Sequence, residues 1–357
     1  MTENQTNENS SLAATQLINK FMQGIKDESK FQRKNSLEAI KKQINDSFKS
    51  NDKNVIKFNS EAIKTILKST LNLWSDPIEK CRELSLEIVK MVLEFSLTDT
   101  SFWDNDMTGM IIMQLHQRLG GKDVKEQSEE IRLELLSIAY IIIEHKSNPK
   151  HALEIYFQEL VAILINSFND NYPEVKKKTC SCTKLLANKL SGSVFHMQSE
   201  TLVKPLLANI THQHSRVRKD IVDCLCDVVM YGNNKSVTDV IPHLAQRLFD
   251  QANMVRMAVV KLVGTWLLDL PDRYSFHCKL IPLLLTGFID ESIEINELAE
   301  SLWWDVGIKY HKENDDDLKD KASFLEQDLP NYPTECMMFI SILNFLIILI
   351  CFLKKFS

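Results

Sequence analysis

Apolar side chains recur along most of this chain at spacings of three and four, the period of a helix that buries one face. In IPHLAQRLFDQANMVRMAVVKLVGTWLLDL, which starts at Ile241, the residues Ile241, Leu244 and Leu248 share such a face. A short polar turn follows. Val255, Val259, Leu262, Val263 and Trp266 then begin a second face of the same period. The pattern predicts two helices joined by a tight turn.

The same pattern returns forty residues on, in IPLLLTGFIDESIEINELAESLWWDVG from Ile281. Both segments open Ile-Pro-x-Leu, both reach an Asp (Asp250, Asp290), and both continue with an aliphatic residue (Val255, Ile295). Earlier copies are less alike but keep the frame. The turn position recurs at 27, 76, 126, 170, 212, 250 and 290, at intervals of 38 to 50 residues. An acid just before a new helix suits an N-terminal cap or Asx turn. Pro205, Pro242 and Pro282 are expected at or near the start of the first helix of their units, where a missing N–H costs little. A single hairpin cannot bury its apolar face, but stacked hairpins share a continuous core. The expected fold is therefore all-α, an α-solenoid of about seven helix-hairpin units. Residues 15–333 form the array, between a polar, disordered tail at 1–14 and a divergent apolar segment at 334–357.

A base lies six residues after most turn acids, and this Asp-x5-Arg/Lys pattern at a period near forty resembles HEAT repeats. The resemblance implies that acid and base form a ladder between neighbouring units. The matching residues are Asp27 and Arg33, Asp76 and Arg82, Glu126 and Arg132, Asp170 and Lys176, and Asp250 and Arg256. Arg218 follows His212 rather than an acid, and Asp290 is followed by Asn296, so each of these positions lacks one partner.

Composition narrows the functional class. A net charge of −6 argues against a surface that tracks nucleic-acid phosphates. Only 9 Gly and 9 Pro fit long elements with few turns. No Gly-rich phosphate loop, H-E-x-x-H, C-x-x-C pair or G-x-S-x-G is present. The C-x-C pairs Cys180/Cys182 and Cys224/Cys226 point about 200° apart on a helix and read as small buried residues, not as metal ligands. His212 and His214 have no third ligand at a suitable spacing, and the acidic run from Glu313 to Lys321 lacks the glycine and terminal Glu of a calcium loop. No catalytic, cofactor or metal site is expected, and no small-molecule substrate. Protein partners are.

Three stretches carry a closer resemblance. They are the Asp-Arg-Tyr-Ser-Phe at Asp272, the Leu-Trp-x-x-Val-Gly at Leu302, and the Glu-Asn-x-x-Asp-Leu-Lys-Asp-Lys at Glu313. With their surroundings, from about Ser215 to Tyr332, they resemble the HEAT-repeat assembly factors of axonemal dynein. That resemblance implies a non-catalytic cytoplasmic scaffold for preassembly of inner and outer dynein arms in motile cilia, binding dynein chains and other assembly factors. A generic HEAT adaptor, for tubulin, a phosphatase or a transport partner, is the alternative. Trp74, beside the Asp76 turn, and the pair Trp303 and Trp304 are the candidate partner contacts.

The last stretch, CMMFISILNFLIILICFLKKFS, contains an uncharged run at 336–353 that is long enough to reach across a bilayer core. Lys354 and Lys355 follow it while Glu326, Asp328 and Glu335 precede it, which would orient the repeats away from the cytosol. The resemblance also stops near Tyr332-Pro333. The run is therefore expected to mark an alternative last exon or unspliced sequence. A tail anchor in an intracellular membrane is the second reading.

Overall fold

The computed structural model describes residues 15–49, 58–95, 104–121, 125–145, 150–190 and 192–324. Every regular element among them is helical. The expected tail at 1–14 and the segment at 334–357, including the apolar run at 336–353, lie outside the described residues. No helix of the described residues is long and apolar enough to cross a membrane.

The elements run in pairs. Helix α1 covers 15–24 and α2 Lys30–Lys49; α3 is Ser60–Asn72 and α4 Glu79–Phe95; α5 is Asn105–Leu119 and α6 Glu129–Glu144. A short α7, Lys150–Ile155, precedes α8, Phe157–Phe168, and α9, Pro173–Lys189. Then come α10, Ser193–Asn209, with α11, Ser215–Tyr231; α12, Val237–Arg247, with α13, Asn253–Asp269; and α14, His277–Thr286, with α15, Ile293–Phe324. Short 3₁₀ turns fill several joints, as at Leu73–Ser75 and Gly287–Ile289. The chain separates into two compact units, 1–304 and 305–357. The first contains the repeats from α1 to the start of α15. The described residues of the second, 305–324, form the remainder of that helix.

Within the first unit the second helices of successive pairs pack on one another, α2 on α4, α4 on α6, α6 on α9, α9 on α11 and α11 on α13. The first helices line up beside them, α3 with α5, α5 with α8, α8 with α10 and α12 with α14. A second helix is therefore buried on several sides. In α13, Val255, Val259, Val260, Leu262, Val263, Trp266 and Leu267 are all buried. Gly264 allows α15 to approach, since a Cβ there would sit 2.6 Å from Leu302 Cδ1. Burying a Leu- or Val-sized side chain contributes about 1.5–3 kcal/mol, so these shared faces carry the fold.

The prolines are placed differently from expectation. Pro205, Pro242 and Pro282 lie inside α10, α12 and α14, because these helices begin several residues earlier than the apolar pattern suggested. The helices run on through these prolines, and Asn209 Nδ2 donates to Pro205 O and Thr286 Oγ1 to Pro282 O.

Candidate functional site

The turns are built by one repeated arrangement. Each turn acid accepts a hydrogen bond from the backbone N–H two residues on, closing an Asx-type turn. Ile78 N lies 2.8 Å from Asp76 Oδ1, Tyr172 N 2.8 Å from Asp170 Oδ1, Ala252 N 3.0 Å from Asp250 Oδ1, and Ser292 N 2.8 Å from Asp290 Oδ1. Asp27 and Glu126 do the same for Ser29 and Ser128.

The base six residues later is the fourth residue of the next helix and bends back over the turn. It meets the carbonyl of its own acid, not the carboxylate. Arg33 Nη1 donates to Asp27 O, Arg82 Nη1 to Asp76 O, Arg132 Nη1 to Glu126 O, and Arg256 Nη1 to Asp250 O. The rest of the guanidinium grips the carboxylate of the next unit. Arg33 reaches Asp76, Arg82 reaches Glu126, Arg132 reaches Asp170, Arg218 reaches Asp250 and Arg256 reaches Asp290, with closest approaches of 2.6–2.9 Å. Each rung is bidentate, through Nε and Nη2, the geometry that makes Arg–carboxylate pairs strong.

Because the pairing runs from one unit to the next, Arg218 and Asp290 both have partners although each lacks one within its own unit. His212 still closes its turn, with its Nδ1 accepting from His214 N at 3.1 Å, and its carbonyl still takes Arg218 Nη1. What His212 lacks is a carboxylate for the unit before. Lys176 accordingly does not form a rung with an acid. Its ammonium donates to Phe168 O and to Asn209 Oδ1, each at 2.6 Å. This buried amide replaces a carboxylate at one joint of the ladder.

The rungs carry clear electrostatic signatures. Burial opposes ionisation of Glu126, but Arg82, Arg118 and the Ser128 N–H outweigh it and hold the carboxyl below its ordinary range. At Asp250 burial is likewise outweighed, by Arg218, the Ala252 N–H and Arg247. Arg256 is the main cause at Asp290, which is also lowered. At the gap, burial first, then Lys176, His214 and Arg218, push the His212 imidazole down. Burial also pushes the Lys176 ammonium down, against Asp170.

Some partners were not visible in the sequence. Arg118 adds a second cation to Glu126 and Arg247 one to Asp250. A more exposed set of pairs joins successive second helices: Lys41 to Glu87, Lys90 to Glu134 and Lys184 to Asp227. These residues recur at nearly the repeat interval, which is the signal that could have found them.

The tryptophans divide. Trp74 is 1% exposed, held inward by the 3₁₀ turn at Leu73–Ser75, and its Nε1 has no hydrogen-bond partner. That corrects the expectation of a partner contact there. Trp303 is 4% exposed and meets Phe288 edge-on with ring centroids 6.4 Å apart. Trp304 is 65% exposed. Among the described residues, no group of three or more His, Cys, Asp or Glu side chains could hold a metal ion.

Paired helices stacked through shared second-helix faces, with an arginine–carboxylate ladder along their turns, define an α-solenoid of the HEAT and armadillo class. Solved structures agree on the fold. Cex1p superposes with a TM-score of 0.59 at 14% identity, covering 87% of this chain and 55% of that one. Importin beta does so at 0.57 and 14%, covering 82% and 37%. A family model described as "Dynein axonemal assembly factor 5-like, TPR repeats" matches residues 24–321. The chain belongs to this dynein axonemal assembly factor 5-like family. Dynein axonemal assembly factor 5 of Xenopus laevis is 38% identical over 319 residues, 89% of this chain and 36% of the relative. The Homo sapiens protein of that name is 36% identical over 320 residues, 88% and 36% respectively. The chain thus spans little more than a third of the length of the curated relatives it matches. Its 38- to 50-residue intervals exceed the roughly 34 residues of a TPR unit and fall nearer the HEAT length.

Proposed function

We propose that this chain is a non-catalytic scaffold for the cytoplasmic preassembly of inner and outer axonemal dynein arms in motile cilia. Its partners are axonemal dynein chains and other assembly factors. The observation that carries this reading is the match of nearly nine-tenths of the chain to proteins named dynein axonemal assembly factor 5. The fold supports it. A stack of helix pairs tied unit to unit by bidentate rungs offers a long surface for other proteins. The relatives' name and the repeat fold both speak for assembly rather than for a reaction.

The test is co-purification of the full chain from the cytoplasm of cells that are building motile cilia. Dynein intermediate or heavy chains are expected in the complex before they reach the cilium. Normal inner and outer arms in cells lacking the protein would overturn the proposal.

A further inference from the structure

The first turns of α9 and α11 bound a groove of about 510 Å³. Tyr172 and Pro173 supply its accessible apolar lining over the buried Val217, and Lys177, His214 and Arg216 its basic one. A groove at the same place in the repeat, between α4 and α6, has about 460 Å³ and the opposite character. Glu79, Glu83, Glu87, Glu130 and Glu134 line it around Leu86 and Ile131. The positions correspond. Glu83 and Lys177 each lie seven residues after their turn acid, and Glu130 and Arg216 each four residues after the turn position. One architecture thus presents carboxylates in one place and cations in another.

The basic groove lies where the ladder lacks its acid. His212 stands at the turn before α11, so that turn brings no carboxylate to the cations around it. Arg216 is exposed and has no ion pair or hydrogen bond among the described residues. Lys177 meets only Glu174, at 2.9 Å, in an i,i+3 pair open to solvent. Such a pair is worth about 0–1 kcal/mol, so an incoming carboxylate can displace it.

We infer that this groove docks a short acidic segment of a partner protein. Its carboxylates would meet Arg216 and Lys177, and an intervening apolar side chain would rest on Tyr172 and Pro173. A protein segment suits the site better than nucleic acid. Glu174 lies in the same groove and the chain is negative overall, which disfavours an extended polyanion. The inference stands on the groove alone and is independent of the dynein reading.

The test is fluorescence anisotropy of a short labelled Asp/Glu-rich peptide with the full chain at low salt. Saturable binding is expected. It should weaken by about tenfold or more in the double variant Arg216→Glu, Lys177→Glu, as for paired charges at an interface. Glu83→Gln with Glu130→Gln, in the acidic groove, should leave binding unchanged. If the charge-reversed protein melts early, the milder Arg216→Gln decides, with the same direction expected. Absence of saturable binding would overturn the inference, as would undiminished binding by the basic-groove variants. Tighter binding of single-stranded DNA of equal charge would overturn it too, and assign the groove to nucleic acid.

Discussion

Arg218 joins two turns that are far apart in sequence: its Nη1 lies 2.7 Å from His212 O and its Nη2 2.7 Å from Asp250 Oδ1. One side chain thereby fixes the backbone of its own turn and the carboxylate of the next. The Asp250 side chain is only 2% exposed and also meets Arg247, so removing it leaves two guanidinium groups short of their acceptor. Breaking one partner of a buried pair costs about 3–5 kcal/mol. Asp250→Ala is expected to lower stability near the bottom of that range, because Arg218 stays slightly open to water. Chemical denaturation of the full chain measures it, and a loss below about 0.5 kcal/mol, the scale of an ordinary surface change, would refute a structural role for the rung.

At the gap the expected sign reverses. His212→Asp keeps the turn-closing acceptor and adds a carboxylate beside Lys176 and Arg218, whose positive charges, after burial, depress the imidazole. Restoring a repeat's usual residue commonly adds about 0.5–2 kcal/mol. A higher melting temperature is expected for His212→Asp, and weaker binding of the acidic peptide at the adjoining groove. A lower melting temperature would mean that Lys176 and Asn209 already satisfy the joint fully.

The register of the ladder was legible in the sequence, but its direction was not. Asp-x5-Arg shows an acid and a base on one turn, and the resemblance implied a ladder between neighbouring units without saying which neighbour each base would reach. In the fold, Arg82 spends Nη1 on Asp76 O and turns its other nitrogens to Glu126. The partner comes from the next unit because second helices stack side by side, a relation that a single repeat does not contain. The same blindness hid Asn209, which serves Lys176 from the end of α10. Trp74 could be placed beside a turn from its position, but its inward orientation depends on the 3₁₀ turn that carries it. The prolines were located in the correct helices and misplaced along them, since apolar periodicity marks a buried face better than a helix start.

Acid should act on the ladder in a defined order. The folded carboxyls of Glu126, Asp250 and Asp290 lie below their ordinary values, so their contribution is complete above the unfolded range of about 4 and is lost as pH falls through the folded values. The folded His212 imidazole is also lowered, so stability tied to its neutral form is complete above about 6.5 and falls as pH drops below that. Melting temperature followed from about pH 7.5 to about pH 3 should decline gently at first and then steeply. Asp250→Asn should flatten the steep part, and His212→Asp should reduce the gentle part, which His277, also lowered by burial and by Arg273, shares. An unchanged profile in either variant would contradict the assignment of that limb.

Trp303 and Trp304 are neighbours in sequence with opposite roles, and one pair of substitutions separates them. Trp303 is packed under Phe288, so Trp303→Ala removes a large buried ring and should cost about 3–5 kcal/mol. Trp304 leaves most of its indole in water, so Trp304→Ala should move stability by no more than about 0.5 kcal/mol. An exposed tryptophan contributes little to its own fold and much to an interface that covers it. If the scaffold reading is right and Trp304 lies under a partner, Trp304→Ala should reduce recovery of dynein chains from ciliating cells while the melting curve stays in place. Equal recovery with an unchanged melting curve would remove Trp304 from the binding surface. A large drop in stability would instead show that the indole packs within the fold.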